Sequence, residues 1–234
     1  MTGAVALSAF PDSDALARAL AAHVAEALRA RCARDGLASL AVSGGRTPTR
    51  FFEMLSGAPL PWDRITVTLV DERWVPETSP RSNGALVRRH LMQGPAAAAH
   101  FVPLHTGADT PEAGLADLLQ TMRRLPLPLA CVVLGMGDDG HTASFFPHGA
   151  GLDDAIRPDT TALLVPVRAE AAGEPRITFT LPAILAADRV FLHIEGAGKR
   201  AVLAGALAEG PVEDMPIRAV LRALPHALDV MWCP

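Results

Sequence analysis

The sequence predicts an α/β protein built on a mostly parallel sheet covered on both faces. Three observations carry that prediction. Short apolar runs, among them Leu37–Val42, Ile65–Val70, Leu129–Leu134 and Arg189–Ile194, have the length and continuity of strands buried on both sides. Helical patterns alternate with them along the chain. Several of these strands end in polar or glycine-bearing turns, where such folds bind ligands.

The elements follow in order. Val5–Leu7 reads as a short strand, and Asp12 or Ser13 caps a helix whose Leu16, Leu20, Val24 and Leu28 recur at four-residue spacing until Gly36 closes it. Leu37–Val42 is a strand running into Ser43-Gly44-Gly45-Arg46-Thr47-Pro48. Thr47 as N-cap and Pro48 as first helical residue start the helix carrying Phe51, Phe52 and Leu55. Strand, glycine loop and helix N-terminus together form an anion site. Ile65–Val70 ends at Asp71-Glu72-Arg73-Trp74, and Val75–Ser82 is a loop. Ser82 or Asn83 then begins a helix through Leu86 and Leu91.

Pro95–Ala99 reads as a linker, Phe101–Leu104 as a strand and Pro111–Leu125 as a helix. Leu129–Leu134 leads into Gly135-Met136-Gly137-Asp138-Asp139-Gly140-His141. Leu163–Val167 is a strand, Ala169–Pro175 a loop, and Arg176–Thr180 leads into a helix at Leu181-Pro182. Arg189–Ile194 is followed by Glu195-Gly196-Ala197-Gly198-Lys199 and a helix through Val202 and Leu207. Pro216 opens a last short helix, and Ala227–Trp232 is the final strand. With no internal repeat and no domain linker, residues 1–234 make one domain. Polar strand ends at Ser43–Thr47, Asp71–Arg73, Gly135–His141 and Gly196–Lys199 converge on one cleft.

Composition narrows the function classes. Half of the residues are hydrophobic and the net charge is −4, so the chain supports a core and offers no basic stripe to nucleic acid. No run approaches membrane-spanning length and no secretory leader is visible. Cys32, Cys131 and Cys233 are widely spaced and read as buried free thiols of a cytoplasmic protein. Among 21 basic residues only Lys199 is lysine. Under a bias toward Arg and Ala codons, a lone lysine marks a need for a compact ammonium; a chance survivor on a solvated helix is the alternative.

Gly135-x-Gly137-x-x-Gly140 matches the dinucleotide fingerprint, but Asp138 and Asp139 would repel a pyrophosphate. Gly196-x-Gly198-Lys199 lacks the spacing and following Ser or Thr of a P-loop. No metal-ligand spacing and no nucleophile elbow is present, and Ser144 reads as a small packing residue. No cofactor and no metal is therefore expected. His141, two residues after Asp139 at a glycine turn, is a candidate general base.

SGGRTP, VDERWVP with Arg81-Ser82-Asn83 downstream, LGMGDDGHTASFFP, RITFTLP and GAGKR occur in that order across most of the chain. In this the sequence resembles the bacterial 6-phosphogluconolactonases, in the superfamily of glucosamine-6-phosphate deaminase and ribose-5-phosphate isomerase. The resemblance implies a Rossmann-like three-layer α/β/α fold. It also implies hydrolysis of 6-phospho-D-glucono-1,5-lactone to 6-phosphogluconate, the second step of the oxidative pentose phosphate pathway.

Under that resemblance His141 is the base and Asp139 orients its ring. Arg73 is a fixed cation near the lactone or its phosphate; a surface ion pair with Glu72 or Glu77 is the alternative. Asp71 accepts sugar hydroxyls or fixes the loop, and Asn83 bonds the sugar or the loop. The phosphate lies on the amides of Gly44 and Gly45 and the hydroxyls of Ser43 and Thr47, with Arg176 and Lys199 as cationic partners. Two departures stand out: Gly84 replaces a bulky residue, which predicts a looser loop, and the chain has no tyrosine. The partner expected is a small sugar-phosphate lactone, with the chain a monomer or weak homodimer. An amino-sugar phosphate deaminase or isomerase is the competing enzyme, but the segment after His141 carries no acid. A sugar-phosphate-binding module without catalysis is the non-enzyme reading.

Overall fold

The computed structural model describes residues 5–224 and 227–234. Seven strands form a wholly parallel sheet: β1 (Val5–Ala9), β2 (Ala38–Val42), β3 (Ile65–Leu69), β5 (His100–Val102), β6 (Cys131–Leu134), β9 (Arg189–Glu195) and β10 (Leu228–Cys233). Their spatial order is β1-β10-β9-β6-β2-β3-β5. The chain therefore steps outward from β2 through β3 to β5, then returns to the other side of β2 at β6. That reversal opens a crevice beyond the ends of β2 and β6, where doubly wound sheets bind ligands.

Three strands lie apart from this sheet. β4 (Asp71–Arg73), β7 (Leu164–Val167) and β8 (Arg176–Phe179) form an antiparallel sheet in the order β4-β8-β7. Sequence alone predicted one mostly parallel sheet with Asp71–Arg73 as the end of a strand. Instead the chain leaves β3 and, after Val70, enters a second sheet. The polar triplet Asp71-Glu72-Arg73 pairs better with the short polar-apolar strand β8 than as part of a doubly buried strand.

Eight helices connect the strands among the described residues: α1 (Ser13–Asp35), α2 (Thr49–Ser56), α3 (Asn83–His90), α4 (Pro111–Met122), α5 (Leu152–Ile156), α6 (Leu181–Leu185), α7 (Ala197–Leu207) and α8 (Ile217–Ala223). In α1, Asp12 accepts the Ala15 amide as N-cap, and Gly36 closes the helix in the left-handed conformation. Its Leu16, Leu20, Val24 and Leu28 are all fully buried, each worth roughly 1.5–3 kcal/mol. α1 lies along β2, β6 and β10 and packs on α2.

Several boundaries differ from the sequence reading. Pro48, not Thr47, is the N-cap residue of α2, and no side-chain cap bonds there. Leu37 is half exposed and precedes β2. Gly94–Ala98, overlapping the expected linker Pro95–Ala99, form a 3-10 turn, as do Glu170–Ala172 within the expected loop Ala169–Pro175. The short helix α5 was not foreseen; its five residues follow a left-handed Gly151 and carry no long apolar period. β10 begins at Leu228, and Cys32, Cys131 and Cys233 are buried and free.

Candidate active site

A cavity of about 300 Å³ occupies the crevice between β2 and β6. All four polar strand ends named from sequence reach it. Ser43, Gly44, Gly45, Thr47, Asp71, Arg73, Asn83, His141, Arg176 and Lys199 all line it, and Asp139 stands against His141.

His141, in the cavity wall, forms a close hydrogen-bonded pair with Asp139. Asp139 Oδ1 lies 2.6 Å from His141 Nδ1 and also accepts the His141 amide at 3.0 Å. The hydrogen bond from His141 holds the Asp139 carboxyl down at about 2, so it is ionised at neutral pH. An ionised carboxylate only accepts, which assigns the proton to Nδ1 and leaves the Nε2 lone pair for chemistry. The ring sits 4.7 Å from that of Phe146. Gly137 makes this placement possible: a Cβ there would fall 2.1 Å from His141 Nδ1. Ala143 holds a left-handed backbone at φ 51°, a cost of roughly 1–2 kcal/mol for a residue with a Cβ. One residue beyond this turn, the buried Ser144 donates to Asp71 Oδ2 at 2.6 Å.

Opposite this turn stand two guanidiniums. Arg73 and Arg176 are direct partners in the β4–β8 ladder, where like charges oppose each other unfavourably. Arg176 is buried, and burial pulls its pKa below the ordinary arginine value. Its Nη2 donates to Ala172 O, and its guanidinium lies 5.4 Å from the Phe146 ring centroid. Arg73 Nη1 donates to Arg81 O at 2.6 Å and Asn83 Oδ1 at 3.0 Å. The Nε atoms of both arginines are buried without a partner. Two guanidinium-bearing side chains in one cavity wall suit an oxyanion.

Neither Glu72 nor Glu77 pairs with the Arg73 side chain. Glu77 binds Arg88, and Glu72 is buried beneath the start of α3. There its carboxylate accepts the amides of Arg73, Asn83 and Gly84 at 2.8 Å each and the Ser82 hydroxyl at 2.9 Å. Gly84 is thus part of a tight knot, and the expectation of a looser loop is wrong. A side chain at 84 would press on Glu77 and Glu72 at 3.2 and 3.4 Å. Asn83 is spent on the scaffold: Nδ2 donates to Asp71 O, and Oδ1 accepts from Arg73. It also packs directly over Gly44, where a Cβ would meet Asn83 Oδ1 at 1.8 Å.

The Gly135 amide donates to Ser43 Oγ at 3.2 Å, tying the ends of β6 and β2 together. Lys199, in the first turn of α7, pairs at 2.7 Å with the exposed Asp138. Two cavity residues escaped the sequence reading altogether. His193 and Glu195 sit two apart on β9, with His193 Nε2 3.0 Å from Glu195 Oε1, and both line the cavity. Their only sequence signal was a histidine inside an apolar strand, which reads as core. Among the described residues no cluster of His, Cys, Asp and Glu could hold a metal ion.

Fold and cavity define an α/β protein on a parallel sheet, with a cavity lined by an imidazole and several cations at its topological switch point. The chain belongs to the family of glucosamine-6-phosphate isomerases and 6-phosphogluconolactonases, whose model matches residues 11–232. It is 52% identical to the 6-phosphogluconolactonase of Mesorhizobium japonicum over 97% of this chain and 94% of that one. The crystal structure of a 6-phosphogluconolactonase from Shewanella baltica superposes with a TM-score of 0.96 at 39% identity, covering all of both chains. A monomeric glucosamine-6-phosphate deaminase shares the fold, at a TM-score of 0.71 and 18% identity over 97% of this chain and 96% of that one.

Proposed function

We propose that this chain is a 6-phosphogluconolactonase, a hydrolase that opens 6-phospho-D-glucono-1,5-lactone to 6-phospho-D-gluconate. The observation that carries the reading is one cavity holding both the Asp139-oriented imidazole and the Arg73–Arg176 pair. His141 Nε2 takes a proton from water, and the oxygen of that water bonds to the lactone carbonyl carbon. The carbonyl oxygen becomes an oxyanion, for which Arg73 supplies a preorganised cation. When the tetrahedral intermediate collapses, the bond to the ring oxygen breaks and that oxygen takes the proton back from His141. The new carboxylic acid then ionises in water. Asp139 stays ionised throughout and stabilises the imidazolium between the two transfers.

The phosphate lies on the Ser43–Thr47 loop, with Arg176 and Lys199 as its cations. Lys199 exchanges its exposed partner Asp138 for the phosphate at little cost, because a surface ion pair is worth at most about 1 kcal/mol. Asp71, held by Ser144, accepts sugar hydroxyls. Asn83 serves as a positioning residue for Arg73. The residues that do this work need no cofactor or metal, and three buried free thiols suit the cytoplasm. No helix among the described residues is long and apolar enough to cross a membrane. In solution the chain is a monomer or weak homodimer, which sedimentation equilibrium tests.

The experiment is hydrolysis of freshly generated 6-phosphogluconolactone, read by proton release with the spontaneous rate subtracted. Catalysed hydrolysis is expected; a rate equal to the spontaneous one overturns the proposal. The deaminase alternative predicts ammonia release from glucosamine 6-phosphate. None is expected, since Thr142-Ala143-Ser144-Phe145-Phe146 places no carboxylate after the histidine.

A further inference from the structure

The mechanism above leaves one chemically equipped pair in the cavity unused. His193 is 4% exposed, yet it lines the same cavity as His141. Its Nε2 is bound to Glu195, whose second oxygen accepts the Ser13 hydroxyl at 2.6 Å. Ser13 is the first residue of α1, so the array Ser13–Glu195–His193 is anchored at a helix N-terminus that favours the carboxylate's charge. The hydrogen bond to His193 further lowers the Glu195 pKa. Glu195 therefore accepts from Nε2, and the other ring nitrogen, Nδ1, has no hydrogen-bond partner among the described residues.

The position of this imidazole is fixed by register. Leu134 pairs with Leu192, which sets His193 level with Gly135, whose amide holds Ser43. Phe51 of α2 packs edge-on against the imidazole at 6.3 Å. Glu195 shares the lining of an adjoining surface depression with Thr47. His193 thus lies in the cavity wall on the side of the Ser43–Thr47 loop. The one lysine of the cavity is partly neutralised by Asp138.

We propose that His193 is a substrate-binding residue for the phosphate group, donating from Nδ1 as an imidazolium while Glu195 and Ser13 hold its ring. This rests on the phosphate lying at the Ser43–Thr47 loop. The geometry supports it: Glu195 takes Nε2, and the remaining ring nitrogen stands in the cavity wall with no partner among the described residues. A purely structural histidine would knit β9 to α1 and act on stability alone.

The test compares 6-phosphogluconolactone with unphosphorylated δ-gluconolactone. In His193→Phe, which keeps a ring against Phe51, KM for the phosphorylated lactone should rise roughly tenfold or more, the worth of one charge-assisted hydrogen bond. Its kcat should stay within about threefold of wild type, and KM for the unphosphorylated lactone should hold. His193→Asn, whose amide replaces the Nδ1 donor, should recover part of the affinity and serves if the Phe variant folds poorly. Equal losses on both substrates, a loss in kcat alone, or unchanged kinetics with only a lower Tm would each overturn the proposal. Absence of lactonase activity in the wild type would instead defeat the underlying reading, so the two failures are separable.

Discussion

Removing the imidazole and its carboxylate singly and together gives the most demanding check of the catalytic assignment. His141→Ala deletes the base, whose contribution is roughly 10²–10⁴ in kcat, or about 2.7–5.5 kcal/mol of barrier. Asp139→Asn keeps the shape of the partner and deletes its charge. The fall of the Asp139 pKa from 3.8 to about 2 corresponds at full strength to roughly 2.5 kcal/mol of coupling with His141. Both side chains are partly exposed, at 33% and 41%, so solvent screening leaves about 1 kcal/mol. That sets a floor of roughly fivefold on the Asp139→Asn loss, which grows as the imidazolium forms in the transition state. Since Asp139 acts only through His141, the double variant should be no slower than His141→Ala alone, within about threefold. The assay is initial-rate lactone hydrolysis with the spontaneous rate subtracted. A double variant showing the product of the two single losses would mean the residues act independently. Activity within about threefold of wild type in His141→Ala would remove the base from the mechanism. Thermal unfolding should show a Tm change of only a few degrees, since His141 is a third exposed and Phe146 is its one aromatic contact among the described residues.

Three further outcomes follow from the same geometry. Gly44→Ala should cost roughly 1–3 kcal/mol in denaturant unfolding and lower activity as well, because its Cβ would displace Asn83 and with it Arg73; unchanged activity would refute the coupling. Lys199→Ala should weaken affinity for the phosphorylated lactone and leave unphosphorylated gluconolactone nearly untouched, with equal KM changes on both counting against a phosphate contact. The Asp139 carboxyl is depressed from 3.8 to about 2 on folding, so its contribution to stability is present above pH 3.8 and is lost as pH falls toward 2. Over that window Asp139→Asn should lose less stability than wild type in thermal melts, and identical slopes would show that the pair is not coupled.

The legible parts of this protein were those written in local pattern. The apolar runs of β2, β3, β6 and β9 and the four-residue spacing in α1 announce themselves because burial selects their composition directly. The cleft residues were legible where a glycine turn or a polar strand end followed such a run. What sequence could not supply was pairing at long range. β4 and β8 are more than a hundred residues apart, and no local feature of either says that Arg73 will face Arg176. Ser144 read as packing, since nothing in its own segment reveals Asp71 across the cavity. His193 was missed for the converse reason: inside a hydrophobic strand, a ligand-facing histidine and a core histidine look alike.

Strand alternation explains why the triplet Asp71-Glu72-Arg73 does two jobs at once. Successive side chains of β4 point to opposite sides, so Asp71 and Arg73 share one face while Glu72 takes the other. The register extends this to β8, where Arg176 and Thr178 stand opposite Arg73 and Asp71, and Ile177 stands opposite Glu72. The cavity face thus gathers two cations and a carboxylate. The reverse face puts Glu72 under two amides and a hydroxyl at the start of α3, with the Arg73 amide as a fourth donor. A one-residue slip of β4 would turn Arg73 toward that helix and take Glu72 away from its amides. The buried carboxylate knot is therefore what pins the ladder in place. It holds Arg73 and Arg176 opposite each other against their mutual repulsion, which the carboxylates of Asp71 and Glu174 offset in part at Arg176.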